Sequence, residues 1–136
     1  MRLRIADPTG MVVDQDVRSV RAEDASGGFG ILDGHADFIT ALEISVVSWR
    51  LADGSRSHCA VRHGILTVRA GAEVNIATRE AHVGDSLEQL QATVLRRYRQ
   101  SREAELTGRT AAARLRMQAI RRMVEALQGG AREVGL

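Results

Sequence analysis

Apolar positions change their period once along this chain, near Gly84. Upstream they come in short runs of period two, the spacing of strands with one buried face. The run Arg2-Leu3-Arg4-Ile5-Ala6-Asp7 sets Leu3 and Ile5 on one face, and Pro8-Thr9-Gly10 turns the chain before Met11-Val12-Val13. A further strand is expected across Asp16–Glu23. Glu43–Leu51 and Ser57–His63 flank Ala52-Asp53-Gly54-Ser55, and Asp-Gly between β-rich runs signals a hairpin because both residues tolerate positive φ. Ile65–Val68 and Val74–Thr78 flank a second glycine turn, Ala70-Gly71-Ala72. Many short strands with regular turns predict an antiparallel sandwich or barrel over residues 1–84.

Downstream the spacing becomes helical. Asp85 or Ser86 can cap a helix, and Glu88 in the first turn suits the positive end of the macrodipole. Leu87, Leu90, Val94 and Tyr98 then line one face. Gly108 interrupts the pattern. Ala113, Met117, Ile120, Val124 and Leu127 resume it in steps of four, three, four and three, until Gly129-Gly130. The expected fold is therefore mainly β plus α. An N-terminal antiparallel β-sandwich (1–84) is followed by a C-terminal αα-hairpin (85–136), with helices over about 86–106 and 110–128.

Composition narrows the picture. The chain has 136 residues, enough for one domain with a small appendage, and its 44% hydrophobic content marks it as globular. Only 3% of residues are aromatic, so the core must be aliphatic. A formal net charge of +2 is weak for a nucleic-acid binder. Cys59 is the one cysteine, which excludes an internal disulfide, fits a reducing compartment and reads as a small buried hydrophobe. No secretory h-region opens the chain, and no uncharged apolar run reaches the length of about 18 residues that a membrane span needs. Direct membrane insertion is not expected.

Catalytic patterns are missing. His35, His58, His63 and His82 are scattered, and no helical histidine pair or cysteine set suggests zinc. His58 and Cys59 are neighbours in a strand and point to opposite faces. There is no nucleophile elbow, and the carboxylates are spread through turns and helix surfaces. Gly27-Gly28-Phe29-Gly30 lacks the lysine and hydroxyl of a phosphate loop, so tight turns explain it better. No catalytic, metal-ligating or cofactor-binding residue is assigned. The helical half is rich in arginine, at Arg96, Arg97, Arg99, Arg102, Arg109, Arg114, Arg116, Arg121 and Arg122. A solvated face or a face for an acidic partner fits this better than RNA or DNA binding, given so few aromatics for base stacking.

One stretch is specific. The run GGFGILDGHADFITAL, Gly27 to Leu42, resembles the signature loop of the epsilon subunits of rotary ATP synthases. Gly28, Gly30, Ile31, Leu32, Gly34, His35, Ala36, Thr40, Ala41 and Leu42 match that pattern, while Asp33 and Asp37 stand where prolines are usual. The linker around Thr78–Leu90 is similar to the alternate synthase type called N-ATPase. The resemblance implies a sandwich followed by a helical hairpin, and a non-catalytic subunit on the cytoplasmic face of the bacterial inner membrane. It implies binding to the gamma subunit and to the membrane ring, with the catalytic subunits as further contacts. Rotation driven by proton or sodium flow would pass through it.

The same resemblance assigns candidate residues. Phe29, Asp33 and His35 would form a ring-facing loop. Gly108 would be a hinge, and Arg114, Arg121 and Arg122 would meet catalytic subunits when the hairpin extends and inhibits hydrolysis. Some family members bind ATP through a helical motif whose place is taken here by Leu87–Ala92. Glu88 keeps a carboxylate, but Gln91 replaces the arginine that would meet phosphate, so only a remnant of a nucleotide site is expected. The alternative is a free-standing protein- or RNA-binding module with an arginine-rich helical hairpin.

Overall fold

A computed structural model describes the backbone of residues 1–135 and the side-chain surroundings of residues 1–127. Ten strands come first: β1 (Arg2–Asp7), β2 (Gly10–Asp16), β3 (Ser19–Asp24), β4 (Gly27–Leu32), β5 (Phe38–Leu42), β6 (Ser45–Arg50), β7 (Arg56–Val61), β8 (Gly64–Arg69), β9 (Glu73–Ala77) and β10 (Ala81–Gly84). They form one ladder in the order β10-β7-β6-β3-β5-β8-β9-β1-β2, with β4 paired to β3. Pairing is antiparallel except for β1 with β9, which run parallel. Strand β3 pairs β6 at its start and touches β5 only through Asp24 and Leu42, so the ladder folds there into two layers.

Alternation decides what lies between the layers. Leu3, Ile5, Val20, Ile31, Val47, Trp49, Cys59, Leu66, Val74 and Ile76 are all buried in one cluster. The core is aliphatic apart from Trp49, whose indole N–H donates to Gln15 Oε1 at 3.0 Å. Cys59 is fully buried, and burial pushes its thiol up to about 12, which removes it as a nucleophile at neutral pH. His58 points the other way and bonds the Ser48 hydroxyl at 2.6 Å.

The turns follow the chemistry expected of them. Gly54 takes φ +87° in the β6–β7 hairpin, and its N–H donates to Leu51 O at 3.0 Å. Between β8 and β9, Ala70 and Gly71 both have positive φ, +55° and +64°, as a type I′ turn requires.

A second apolar cluster carries the start of the helical region. Ser86 is the N-cap, its hydroxyl accepting from Gln89 N–H at 3.3 Å. After α1 (Leu87–Gln89) comes a π-helical turn, Leu90–Leu95, and then α2 (Arg96–Gly135). Leu90, Val94, Leu95 and Tyr98 pack with Ile44 and Ala60, on the side of β6 and β7 opposite the main core. A π turn holds more residues than an α turn, so Val94 and Leu95 can both be buried with Leu90. Gly84 makes room for this packing, since a Cβ there would lie 2.9 Å from Leu90 Cδ2.

The helical region departs from expectation in form. In place of two helices broken at Gly108, α2 is one helix of 40 residues that contains Gly108 and continues past Gly129-Gly130. A single exposed glycine costs a helix only about 1 kcal/mol relative to alanine. Nothing recaps the chain after it: the Thr110 hydroxyl donates back to Leu106 O at 3.0 Å, and the good helix formers Ala111–Ala113 follow.

Two glycines therefore predict opposite outcomes. At Gly71 an added Cβ would sit 2.9 Å from Gly34 Cα at a positive φ, whereas at Gly108 it would meet nothing within 4 Å. Gly71→Ala should cost about 2 kcal/mol or more. Gly108→Ala should raise helical ellipticity and stabilise α2 by about 0.5–1 kcal/mol. Denaturant titration followed by Trp49 fluorescence measures the first, and circular dichroism measures the second.

Candidate functional site

The Gly27–Leu42 stretch builds one corner of the sandwich from the backbone outward. After β4, residues 33–37 lie against the β8–β9 turn. Gly34 N–H donates to Gly71 O at 2.8 Å, and the Asp37 carboxylate accepts from Ala70 N–H at 2.9 Å. Gly34 itself has φ +83°. The close approach depends on Gly71, where a Cβ would lie 2.9 Å from Gly34 Cα, whereas at Gly34 a Cβ would meet nothing within 4 Å and the positive φ is what favours glycine. Asp37 thus replaces the usual proline with a carboxylate that satisfies a turn amide.

This joint sets the side chains around it. Phe38 is the hub: its ring meets Phe29 edge-on at 5.7 Å and His35 at 5.8 Å. These separations suit the edge-to-face geometry that the ring quadrupole favours. His35 is half-buried, with Nδ1 2.7 Å from Ala36 O. Phe29 is half-buried against the core. Asp33 is exposed, as are Leu32 and Ile39 at 66% and 69%. Of the three expected loop residues, Phe29 and His35 are drawn together through Phe38, and Asp33 stands apart in solvent. Phe38 was not singled out from sequence, and Asp37 was noted there only as standing where a proline is usual. The partner of Asp37 is 33 residues away, a distance no local pattern reports.

The other end of the motif is fixed too. Asp24 accepts from the hydroxyls of Ser26 and Thr40, the latter at 2.8 Å, and these bonds hold its carboxyl below the usual range. Thr40 of the signature therefore ties β5 to the β3–β4 hairpin.

The helical candidates are solvent-facing. Glu88 and Gln91 are exposed, and Gln91 lines a shallow surface groove with Glu23, Leu95 and Arg99. Gly108, Arg114, Arg121 and Arg122 lie on α2, with every side chain from Arg102 to Leu127 exposed. Among the described residues no group of histidine, cysteine and carboxylate side chains could hold a metal ion, and no helix is long and apolar enough to cross a membrane.

Comparison with known proteins shows the family. The family described as ATP synthase, Delta/Epsilon chain, beta-sandwich domain matches residues 1–84. "ATP synthase epsilon chain 2" of Paraburkholderia xenovorans (strain LB400) is 40% identical over 129 residues, covering 94% of this chain and 93% of that protein. The chain belongs to the ATP synthase epsilon family. A protein of the same description from Cereibacter sphaeroides is 38% identical over 128 residues, covering 93% of this chain and 88% of its own length.

Among solved structures, a subunit in Euglena gracilis mitochondrial ATP synthase (OSCP/F1/c-ring) superposes with a TM-score of 0.57 at 20% identity. It covers 66% of this chain, which spans 58% of that subunit's length. One from the Tetrahymena thermophila central stalk/c-ring gives 0.52 at 13% identity, covering 60% of this chain and 65% of its own. At such identities these two share the fold. As an epsilon chain the protein is a non-catalytic subunit of ATP synthase, and the free-standing RNA- or protein-binding module has no support among its relatives.

The tie between Thr40 and Asp24 is open to a direct check. A carboxyl with a depressed folded-state pKa adds stability above its unfolded pKa and loses it as pH falls through the folded value. Thr40→Val should raise the Asp24 pKa toward the ordinary range, so that acid protonates it earlier. A carbon-detected carboxyl titration of both proteins should show the Asp24 midpoint higher in the variant, with the other aspartates unchanged.

Proposed function

We propose that this chain is the central-stalk epsilon subunit of a bacterial ATP synthase, seated on the gamma subunit and touching the polar loops of the membrane ring. It sits at the cytoplasmic face of the inner membrane without entering the bilayer, and helps pass rotation between ion flow and the catalytic head. The carrying observation is the backbone joint of Gly34 with Gly71. A part that transmits torque must not yield where it is gripped. Here the gripping loop is braced by main-chain bonds and leaves Asp33 exposed as its charged contact. Phe29 and His35 support that loop through Phe38. The "chain 2" description shared by two relatives favours the N-ATPase type.

The helical region supplies regulation on this reading. Leu115, Met117, Ile120, Met123, Val124 and Leu127 are exposed on α2, an apolar surface that an isolated subunit leaves in water. Arg114 and Arg121 are two turns apart and project in nearly the same direction, while Arg122 lies about 100° further round. An extended helix can lay its apolar stripe on gamma while these arginines meet acidic residues of a catalytic subunit. Gly108 is the place where α2 can break into the hairpin that the family resemblance implies. A helix and a hairpin differing by a few kcal/mol would make a two-state regulator. Glu88 and Gln91 offer no arginine to a nucleotide phosphate, so ATP is not its ligand here.

Charge reversal tests the ring contact. Asp33→Lys in the reconstituted complex should leave assembly intact and lower the ion pumping obtained per ATP hydrolysed. Unchanged coupling would remove Asp33 from the ring contact. Truncation after Gly108 tests the regulatory arm, with assembly retained and ATP hydrolysis raised. Arg114→Ala, Arg121→Ala and Arg122→Ala together should raise hydrolysis partially, since screened ion pairs contribute only about 0–1 kcal/mol each. Failed assembly of the truncated chain would make the arm structural, and unchanged hydrolysis would refute inhibition.

A further inference from the structure

The outward face of β3, β6 and β7 is covered over only part of its length. Val46 and Ala60 lie opposite each other on it and pack with Leu90, Val94 and Leu95. Further along the same two strands Ser48 faces His58, and beyond them Arg50 faces Arg56. Alternation sends Arg50 outward because Trp49 beside it is buried, and Arg21 outward because Val20 and Ala22 are buried. Arg21 stands opposite Ser48, and Ser19 opposite Arg50, so Arg21 is the diagonal neighbour of Arg50. Direct cross-strand neighbours have Cβ atoms about 4.5–5.5 Å apart, and diagonal ones about 7–8 Å apart. Arg50 is therefore the centre of a compact set, with Arg56 on one side and Arg21 on the other. The three arginines are exposed and line one groove of about 350 Å³ with Ser19, Ser48 and Leu32.

The fold does not compensate this charge. None of the three arginines has a carboxylate partner among the described residues. Like charges directly opposite on a sheet destabilise it, which is the position of Arg50 and Arg56. Asp53 in the adjoining β6–β7 turn is occupied by the amide and hydroxyl of Ser55. Glu23, on the same strand as Arg21, lines another groove with Arg99. The arginine groove itself has no carboxylate in its lining. It presents guanidinium donors and the half-buried hydroxyl of Ser19 beside Arg50.

We propose that this groove binds a small anion carrying two or more phosphoryl groups. Arg50 and Arg56, as direct cross-strand neighbours, would clasp one phosphoryl group with their planar forks, and Ser19 would donate to it. Arg21 would take the next phosphoryl group. A single phosphate is too small to engage the direct pair and the diagonal arginine together. A nucleoside has no seat here, because Trp49 is the one aromatic residue in the lining and is only 3% exposed, within the core cluster. An acidic peptide would meet the arginines but bring backbone groups that this face cannot pair, since the sheet's own amides and carbonyls are bonded between strands. Two sources share the required chemistry, a free oligophosphate and a lipid headgroup with two phosphates.

The ¹⁵N-labelled full-length chain is titrated with tripolyphosphate and with orthophosphate at fixed ionic strength. Tripolyphosphate should shift the Nε–Hε signals of Arg21, Arg50 and Arg56, and bind about tenfold or more tightly than orthophosphate. Combined Arg50→Gln and Arg56→Gln should weaken it about tenfold or more, with Trp49 fluorescence unchanged. Without ligand that variant should melt no lower than the original chain, because the opposed charges are gone. Arg50→Lys, which keeps the charge and loses the fork, should weaken binding by less. Arg102→Gln with Arg109→Gln, on the exposed helix, should leave it unaltered. Co-sedimentation with vesicles of diphosphatidylglycerol in phosphatidylcholine, reversed by tripolyphosphate, would support the site and assign it to a headgroup. Tripolyphosphate binding without co-sedimentation would support it and assign it to a free oligophosphate. The proposal is overturned by equal affinity for orthophosphate, by equal weakening in the helix variant, or by the absence of binding at millimolar tripolyphosphate. Tighter binding of oligoglutamate at the same three arginines would overturn it in favour of an acidic protein segment.

Discussion

The contact of main chain with main chain between Gly34 and Gly71 is the constraint on which the rest of the signature corner depends. A hydrogen bond of 2.8 Å holds the two strands of backbone together, at a separation that a Cβ on Gly71 would forbid. Once they touch, the Ala70 amide comes within reach of Asp37, and the loop from β4 to β5 has one path. The path in turn sets Phe38 between Phe29 and His35. Backbone groups and the Asp37 carboxylate do the holding, which leaves the exposed Asp33 side chain free for a partner.

The helical region rests on a different balance. Its first turns are anchored by apolar burial up to Tyr98, reinforced by Glu80, which lies 3.6 Å from Arg62 and 3.8 Å from Arg97. The Tyr98 ring is fully buried, and its hydroxyl has no hydrogen-bond partner among the described residues. Burial pushes that hydroxyl's pKa up to about 12. Leaving such a group unpaired costs about 1–3 kcal/mol, which offsets part of what Leu90, Val94 and Leu95 contribute. From Arg102 to Leu127 the side chains are exposed, apolar ones included, and a partner is the natural way to cover them.

Much of this was legible from periodicity. The alternation at Leu3 and Ile5, the turns at Gly10, Gly54 and Gly71, and the cap at Ser86 were read from residue type because each is a local property. The specificity of Gly27–Leu42 was legible as well, through its long match to the epsilon signature. Three things were not. The parallel pairing of β1 with β9 joins segments some seventy positions apart. The Asp37–Ala70 bond is equally non-local, and Asp37 could be noticed only as a missing proline. At Gly108 the local signal pointed the wrong way: glycine was weighed as a breaker, but Thr110 bonds backward to Leu106 and no new cap forms. A glycine stops a helix when something else accepts the freed ends, and nothing near Gly108 does.

On the proposed reading, the exposed helix of a braced sandwich finds its partner only in the assembled synthase. Amide hydrogen exchange over α2, compared between the isolated chain and the tagged chain purified within its native complex, tests this most directly. The tagged chain should co-elute with the other synthase subunits. Exchange from Glu103 to Leu127 should be rapid in isolation and markedly slowed in the complex, while β8 and β9 stay protected in both. A chain that elutes alone, or that joins the complex with exchange over α2 unchanged, would contradict it.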